Sequence, residues 1–388
     1  MTASLSVLAG RVTLADLEGV PHPVLAGLRG AGPAAWVPVL GAWLVTGYDL
    51  AVAVLRDART FTVDDPRFST AQVVGPSMLS LDGAPHARHR GPFNRAFRRD
   101  EVHARLTAFT RAETGHLVSA IEPRGAAELR RSVAGPLAVA VMAEVLGLGQ
   151  ADPGTILTWY DGIVAAVQAE SAAPGRGAAA GGTAAFGELA ASLREVIAGG
   201  ASPLAEVTGP LTEQEAISNA AVLMFGGIET TEGMIANAVA HLLSSPAQLA
   251  LVRADLSLVP AAVEESLRLE PAAAVVDRYA TRDTRLGGAE IRAGDQVTVS
   301  IAGANRDPAV FADPDTFDVR RPAAGRHLTF AHGPHFCLGA HLARLEAQVA
   351  VETLLARLTG LRLDPRYPSA PRGLVFRKPP ALRVRWDS

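Results

Sequence analysis

The sequence predicts a mainly α fold with smaller β-sheets, and three observations carry the prediction. Thr212 followed by Glu215 is a capping-box pattern, in which hydroxyl and carboxylate each satisfy a backbone N–H at a helix start. It opens a run from Glu213 to about Leu243 that is apolar around much of its circumference, as a long, buried, central helix requires. Proline punctuation then predicts two further helices. Ser245-Pro246 reads as an N-cap and an N1 proline with Gln248 at the third position, and Pro260 opens a helix over Ala261–Leu269. Strand-like segments are few: Val37–Thr46, Arg285–Ala302 with a Gly287-Gly288 turn, and Gly373–Trp386.

No compositional break divides the 388 residues, so one large domain over 1–388 is expected. Ser171–Ser202 is dominated by Ala and Gly. It reads either as a flexible connection carrying one short helix, Gly187–Ala198, or as a mobile lid over a buried site. A net charge of −3 gives no reason to expect nucleic acid or an anionic membrane as partner. Lys378 is the only lysine among 36 basic residues, an arginine bias attributable to codon usage. Residues 1–20 lack the basic start and long apolar core of a signal peptide. No run reaches the roughly 18 apolar residues that span a bilayer. The expectation is a cytoplasmic protein with no membrane anchor.

The one cysteine, Cys337, cannot form an intramolecular disulfide or a multi-cysteine metal site. A lone cysteine is commonly a small buried apolar residue. Its setting, Phe330-Ala-His-Gly-Pro-His-Phe-Cys337-Leu-Gly339, points elsewhere. Gly333 and Gly339 allow close backbone approach, and a helix-like run follows. A thiolate at a helix start is a candidate axial ligand for haem iron. Glu265 and Arg268 lie one helical turn apart and can pair; on a surface such a pair contributes under about 1 kcal/mol. Gly226-Gly227-Ile-Glu229-Thr230-Thr231 interrupts the long helix. Two mid-helix glycines cost about 1 kcal/mol each relative to alanine, which either close helix packing or a ligand must justify. His86 and Arg90 are spaced by one turn within a basic stretch that could equally be a solvated face.

These motifs, in this order, resemble those of the cytochrome P450 monooxygenases. Phe330-x-x-Gly333-x-His335-x-Cys337-Leu-Gly339 is similar to the family's haem-binding loop, with Ala331 where bacterial members usually have Gly. Glu265-Ser-Leu-Arg268 resembles the E-x-x-R helix, and Asp318-Val-Arg-Arg321 its meander, with Arg321 as third member of a buried set. Asp82-Gly-Ala-Pro-His86-x-x-x-Arg90 resembles the propionate-binding pair, with Asp-Gly-Ala in place of the usual Asp-Pro-Pro. The resemblance extends to Arg278 and His335 as further propionate ligands, to Gly226 and Gly227 as room for dioxygen, and to Glu229 and Thr230 as an acid–alcohol proton relay. It implies a P450 fold with haem b between a distal long helix and a proximal Cys loop. The implied parts are a β-rich N-terminal region (about 1–60), a helical core (about 80–270), meander and Cys loop (about 300–345), and a closing hairpin (about 370–388).

The implied activity is reductive activation of dioxygen and hydroxylation of a small, mostly apolar or natural-product-like molecule. About fifty residues follow Cys337, so NAD(P)H-derived electrons are expected through a separate ferredoxin and ferredoxin reductase. Arg88, Arg95, Arg98 and Arg99 are a candidate docking patch or an ordinary solvated face. Met224, Phe225, Ala273, Ala274, Val275 and Val276 correspond to the substrate pocket, and the protein is expected to be a monomer. Coupling, O-demethylation or desaturation would use the same site. A peroxide-driven enzyme would usually lack the acid–alcohol pair, and a haem sensor would not need it.

Overall fold

A computed structural model describes residues 3–149, 151–172, 180–200 and 209–387. They form two compact units: residues 1–62, 114–134 and 230–388, and residues 63–113 and 135–229. The helices Arg99–Ile121 and Glu213–Ser244 each begin in one unit and end in the other. Among the described residues no single helix is long and apolar enough to cross a membrane.

The first unit holds the β-structure. A five-stranded sheet has the order β1-β2-β8-β5-β3, from β1 (Ala34–Val37), β2 (Ala42–Val45), β3 (Phe61–Thr62), β5 (Val275–Ala280) and β8 (Gln296–Ser300). β2 runs parallel to β8 with Leu44 opposite Thr298, and β5 runs antiparallel to β8 with Arg278 opposite Val297. Val45, Val54, Leu55, Phe61, Val297 and Val299 form one apolar cluster against this sheet. β4 (Ala126–Glu128), β9 (Arg362–Leu363) and β10 (Arg383–Arg385) form a second sheet, and β6 (Thr284–Leu286) with β7 (Ala289–Ile291) a third.

Several elements differ from expectation for identifiable reasons. The N-terminal part is not β-rich. It is mostly helix (Ala3–Gly10, Leu14–Glu18, His22–Ala31, Tyr48–Arg56), because Leu5, Ala9, Leu25 and Leu28 recur at helical spacing and are buried together. Val37–Thr46 is not one strand but the end of a hairpin, turned through Gly41 at φ +59°. Arg285–Ala302 turns at Gly287-Gly288 as expected, both residues having positive φ, but it ends in a short helix, Ile301–Ala304. The closing segment is not a simple hairpin. Arg372 bridges Lys378, Pro379 and Pro380 cannot extend the ladder, and β10 joins β4 and β9 instead.

The long helix is as expected. Thr212 N–H donates to Glu215 at 2.9 Å and Glu215 N–H to the Thr212 hydroxyl at 3.3 Å, closing the capping box. The helix Pro246–Ala254 has Pro246 at its start but no Ser245 side-chain cap. Gln248 Oε1 instead accepts the Val319 N–H at 3.0 Å. In the second unit the helices Pro153–Ala172 and Ala180–Ala198 pack on each other. The latter is longer than the short helix expected over Gly187–Ala198. The lid reading of Ser171–Ser202 falls partly on residues 173–179 and 201–202, outside the described residues.

One core residue carries a stability consequence. Glu346, in the helix Ala340–Arg357, is 1% exposed, and its Oε2 has no hydrogen-bond partner among the described residues. Burial pushes its carboxyl well above the usual glutamate value of 4.5. An acid with a raised folded-state pKa holds its proton more tightly folded than unfolded. Stability is therefore complete below about pH 4.5 and declines as pH rises above it. Glu346→Gln is expected to raise the thermal midpoint, by more at pH 8 than at pH 5. Equal shifts at both pH values in differential scanning calorimetry would contradict a buried neutral acid.

Candidate active site

The foundation of the site is a buried charge network in the first unit. Glu265 and Arg268 lie on the helix Val259–Leu269 and are fully buried. Arg268 Nε and Nη2 donate to the two Glu265 oxygens, each at 2.8 Å, and Arg321 Nε adds a third bond at 2.9 Å. The Asp318 N–H donates to the same carboxylate at 3.1 Å. Arg268 also donates to the carbonyls of Asn305, Pro314 and Thr316, so each guanidinium nitrogen is used. This is the buried set the resemblance implies. Deleting one partner from such a set costs about 3–5 kcal/mol, because the remaining charge is left in the core.

Asn305 carries this order into the cysteine loop. Its Oδ1 accepts the Leu328 N–H at 2.7 Å, and its Nδ2 donates to the Thr329 hydroxyl, which donates in turn to the Leu267 carbonyl. Phe330 follows, with the Arg344 guanidinium 4.3 Å from its ring centroid. Glu264 holds Arg344 at 2.6 Å and His327 at 3.2 Å. Burial alone would raise the Glu264 pKa, but hydrogen bonds from His327 and Arg344 outweigh it and hold it down to about 2. Its stabilising contribution is complete above about pH 4.5 and is lost as the pH falls towards 2.

The loop then turns sharply. Ala331 sits at φ +57° and Gly333 at φ +72°. A Cβ on Gly333 would lie 2.5 Å from the Leu55 carbonyl oxygen, so this position needs glycine on two counts. Ala331 occupies a left-handed conformation that costs a non-glycine residue roughly 1–2 kcal/mol. The Cys337 N–H donates to the Phe330 carbonyl at 2.8 Å, closing the loop ahead of the helix Ala340–Arg357. Cys337 is exposed, unlike a packing cysteine. Gly339 differs from Gly333: its φ of −82° is open to any residue, and a Cβ there would meet nothing within 4 Å.

In the second unit, Gly226 and Gly227 separate in role. A Cβ on Gly227 would lie 2.5 Å from Met142 Sδ, so this glycine serves packing against the helix Gly135–Leu146, whereas one on Gly226 would meet nothing within 4 Å. Met224 and Phe225 are buried, Thr230 half-buried. Glu229 is 6% exposed, and the buried Tyr160 hydroxyl donates to its Oε2. His86 and Arg90 share the helix Gly83–Arg90, His86 buried and Arg90 half-buried. Their neighbours are engaged locally: Arg88 pairs with Glu215, and His89 Nδ1 lies 3.0 Å from Asn219 Nδ2. Arg88, Arg95, Arg98 and Arg99 are all exposed, Arg88 pairing with Glu215 and Arg95 with Glu101.

In the first unit Arg278, on β5, is buried and His335 half-buried. The expected pocket segment is divided by strand alternation. Ala274 is buried in the N-terminal apolar cluster and Val276 packs on the sheet cluster. Ala273 and Val275, on the alternate face, are half-buried. Sequence reasoning missed two charge clusters. Glu270 binds Arg377 at 2.7 Å and His22 at 2.9 Å, and Glu232 binds Arg130 at 3.0 Å and Lys378. Glu232 could have been flagged, since it is a second acid on the same apolar helix as Glu229. Nothing local marks Arg377, whose acidic partner Glu270 lies far off in sequence.

The donor set tests well for haem. One exposed thiol is constrained at a helix start, and Gly339 beside it has space that a side chain would fill. Such a loop defines a class of enzyme that ligates haem through cysteine. Residues 250–382 match the family model described as cytochrome P450. The chain is 37% identical to the cytochrome P450 monooxygenase PikC of Streptomyces venezuelae, over 99% of this chain and 95% of the relative. It is 34% identical to the mycinamicin IV hydroxylase/epoxidase of Micromonospora griseorubida, over 89% of each. In fold it matches the crystal structure of P450BioI in complex with hexadec-9Z-enoic acid ligated acyl carrier protein. The TM-score is 0.86 at 31% identity, covering 95% of this chain and 98% of that one. The chain belongs to the cytochrome P450 family of oxygen-incorporating haem-thiolate enzymes.

Two sets of variants test this geometry. Gly227→Ala should lower the thermal midpoint, costing about 1 kcal/mol or more as Met142 repacks. Gly226→Ala should leave the midpoint unchanged or raised yet weaken carbon monoxide binding to the reduced protein. Ala331→Gly should stabilise by up to about 1 kcal/mol, the relief of the left-handed alanine being partly offset by glycine's unfolded-state entropy. Chemical denaturation measures it.

Proposed function

We propose that this protein is a cytoplasmic, ferredoxin-dependent monooxygenase that hydroxylates a small, mostly apolar, natural-product-like molecule. The observation that carries the reading is the exposed Cys337 thiol in a loop whose turn is fixed by Gly333 and whose entry is fixed by Asn305. Cys337 would hold haem iron through Sγ, and His86, Arg90, Arg278 and His335 would pair with the propionates. When bound, haem supplies dioxygen binding and activation. The chain's own groups place and move protons. Glu229 takes a proton from solvent at its carboxylate, and Thr230 passes one on at Oγ1.

Apolar substrate contacts fall to the half-buried Ala273 and Val275. The mycinamicin IV hydroxylase/epoxidase among the relatives supports a natural-product substrate. Exposed Arg95, Arg98 and Arg99 offer the docking surface for an acidic ferredoxin.

Carbon monoxide added to dithionite-reduced protein should give the red-shifted Soret band of thiolate ligation. Cys337→His should lose it while retaining haem. A mutant that keeps the band refutes the ligand. With ferredoxin, its reductase and NADPH replacing dithionite, Arg98→Glu should slow appearance of the band several-fold at normal haem content. An unchanged rate removes the docking patch.

A further inference from the structure

Asn219 decides where the buried His89 carries its hydrogen. His89 lies on the helix Gly83–Arg90 and is 2% exposed, and Asn219, on the long helix Glu213–Ser244, is fully buried. Asn219 Oδ1 accepts the Met78 N–H at 2.7 Å, and Nδ2 donates to the Glu215 carbonyl at 2.7 Å. These two bonds fix which end of the amide is which. Nδ2 therefore faces His89 Nδ1, at 3.0 Å, as a donor. Nδ1 is then the acceptor, and the ring hydrogen sits on Nε2. Nε2 lies 3.4 Å from Glu215 Oε1 and 3.2 Å from Arg88 Nη2, and of these only the carboxylate can accept. Arg88, from the same helix, and Glu215, from the long helix, are the charged groups that face the ring.

We propose that His89 is a positioning residue for the helix Gly83–Arg90, locking it to the long helix only as the neutral Nε2–H tautomer. This rests on the reading of His86 and Arg90, on that helix, as partners of the haem propionates. Asn219 grips both the segment before the helix, at Met78, and the helix itself, at His89. It precedes Gly226 by seven residues, two turns along the same face of the long helix. A proton on Nδ1 would set two N–H groups against each other. To accept it Asn219 would have to turn over. The Met78 N–H would then lose its acceptor inside the protein, and the bond to the Glu215 carbonyl would go too. Glu215 offers little in return, since its oxygens already accept from Arg88 and from the Thr212 N–H. Burial acts in the same direction, pushing the His89 pKa below its usual 6.5 against the pull of Glu215. A base with a lowered folded-state pKa gives its full stabilisation above about pH 6.5 and loses it as the pH falls below that. The lock therefore opens on acidification, and the helix that carries His86 and Arg90 loosens with it.

The tautomer is read by NMR on the holoenzyme in its reduced, carbon monoxide-bound form, which is diamagnetic, with nitrogen-15 histidine. The His89 signals are those missing from His89→Asn. At pH 7 they should show a bare Nδ1 and a protonated Nε2. An Nδ1–H tautomer, or a charged ring at pH 7, overturns the proposal. Asn219→Asp replaces the facing donor by an acceptor that the Met78 N–H can still use, so the His89 titration should rise by about one pH unit or more. An unmoved titration also overturns it. Haem release is followed by transfer to apomyoglobin. Its rate at pH 5 relative to pH 7 should be several-fold smaller in His89→Asn, whose amide oxygen can accept from Asn219 and cannot titrate. A ratio equal to that of the unsubstituted protein means that His89 only fills space, and overturns the positioning role. The same sample separates the two readings. An absent thiolate Soret band in the unsubstituted protein rejects haem–thiolate ligation and with it the purpose of the lock, whereas a present band with the wrong tautomer rejects the role of His89 alone.

Discussion

The constraint on which the first unit depends is the burial of Glu265 and Arg268 at zero exposure. Two opposite charges in a core are tolerable only if every donor and acceptor is matched. Arg268 meets that condition by reaching the carbonyls of Asn305, Pro314 and Thr316, backbone groups that no regular element satisfies. A segment with little secondary structure thus becomes as fixed as a strand. Asn305 stands at the junction, since its carbonyl serves Arg268 and its side chain orients Leu328 and Thr329 at the mouth of the cysteine loop. The ion network stabilises less by attraction than by making one conformation of the meander the only one without a buried, unmatched charge.

The cysteine loop shows how a thiol is held in place ahead of a helix. Its turn is enforced by backbone contact at Gly333 and by a left-handed Ala331. Its aromatic entry is clamped from outside, with Arg344 on Phe330 and Glu264 on Arg344. Glu264 and Glu265 are consecutive residues, one holding the loop's aromatic and the other the meander. The helix Val259–Leu269 therefore organises the proximal structure through two adjacent carboxylates that point to different partners.

Charged residues in this protein's core occur in matched sets rather than singly. Glu270 with Arg377 and His22, and Glu232 with Arg130 and Lys378, repeat the logic of Glu265. Arg377 donates to carbonyls of Leu17, Glu18 and Gly19 as well as Gly373, joining the two ends of the chain. Glu346 departs from the pattern: it is buried without a partner for Oε2 among the described residues, and burial pushes its carboxyl pKa up. Tyr160 on Glu229 is a different case, in which a neutral hydroxyl donates to a buried acid.

Much of the site was legible in the chain itself. The capping box at Thr212, the i, i+3 spacing of Glu265 and Arg268, and the glycines about Cys337 are local patterns, and local patterns survive translation into structure because helix and turn geometry are set within a few residues. Those residues alone determined the long helix and the buried Glu265–Arg268 pair, and they singled out the one cysteine. Only the tertiary structure decided which glycine packs and which leaves room, that Ala274 belongs to the core while Ala273 does not, that Arg88 is paired, and that Tyr160 meets Glu229. Each of these depends on contacts between residues distant in sequence, such as Met142 with Gly227 or Tyr160 with Glu229. No spacing encodes such contacts, because their partners are chosen by how helices pack and not by where they lie along the chain.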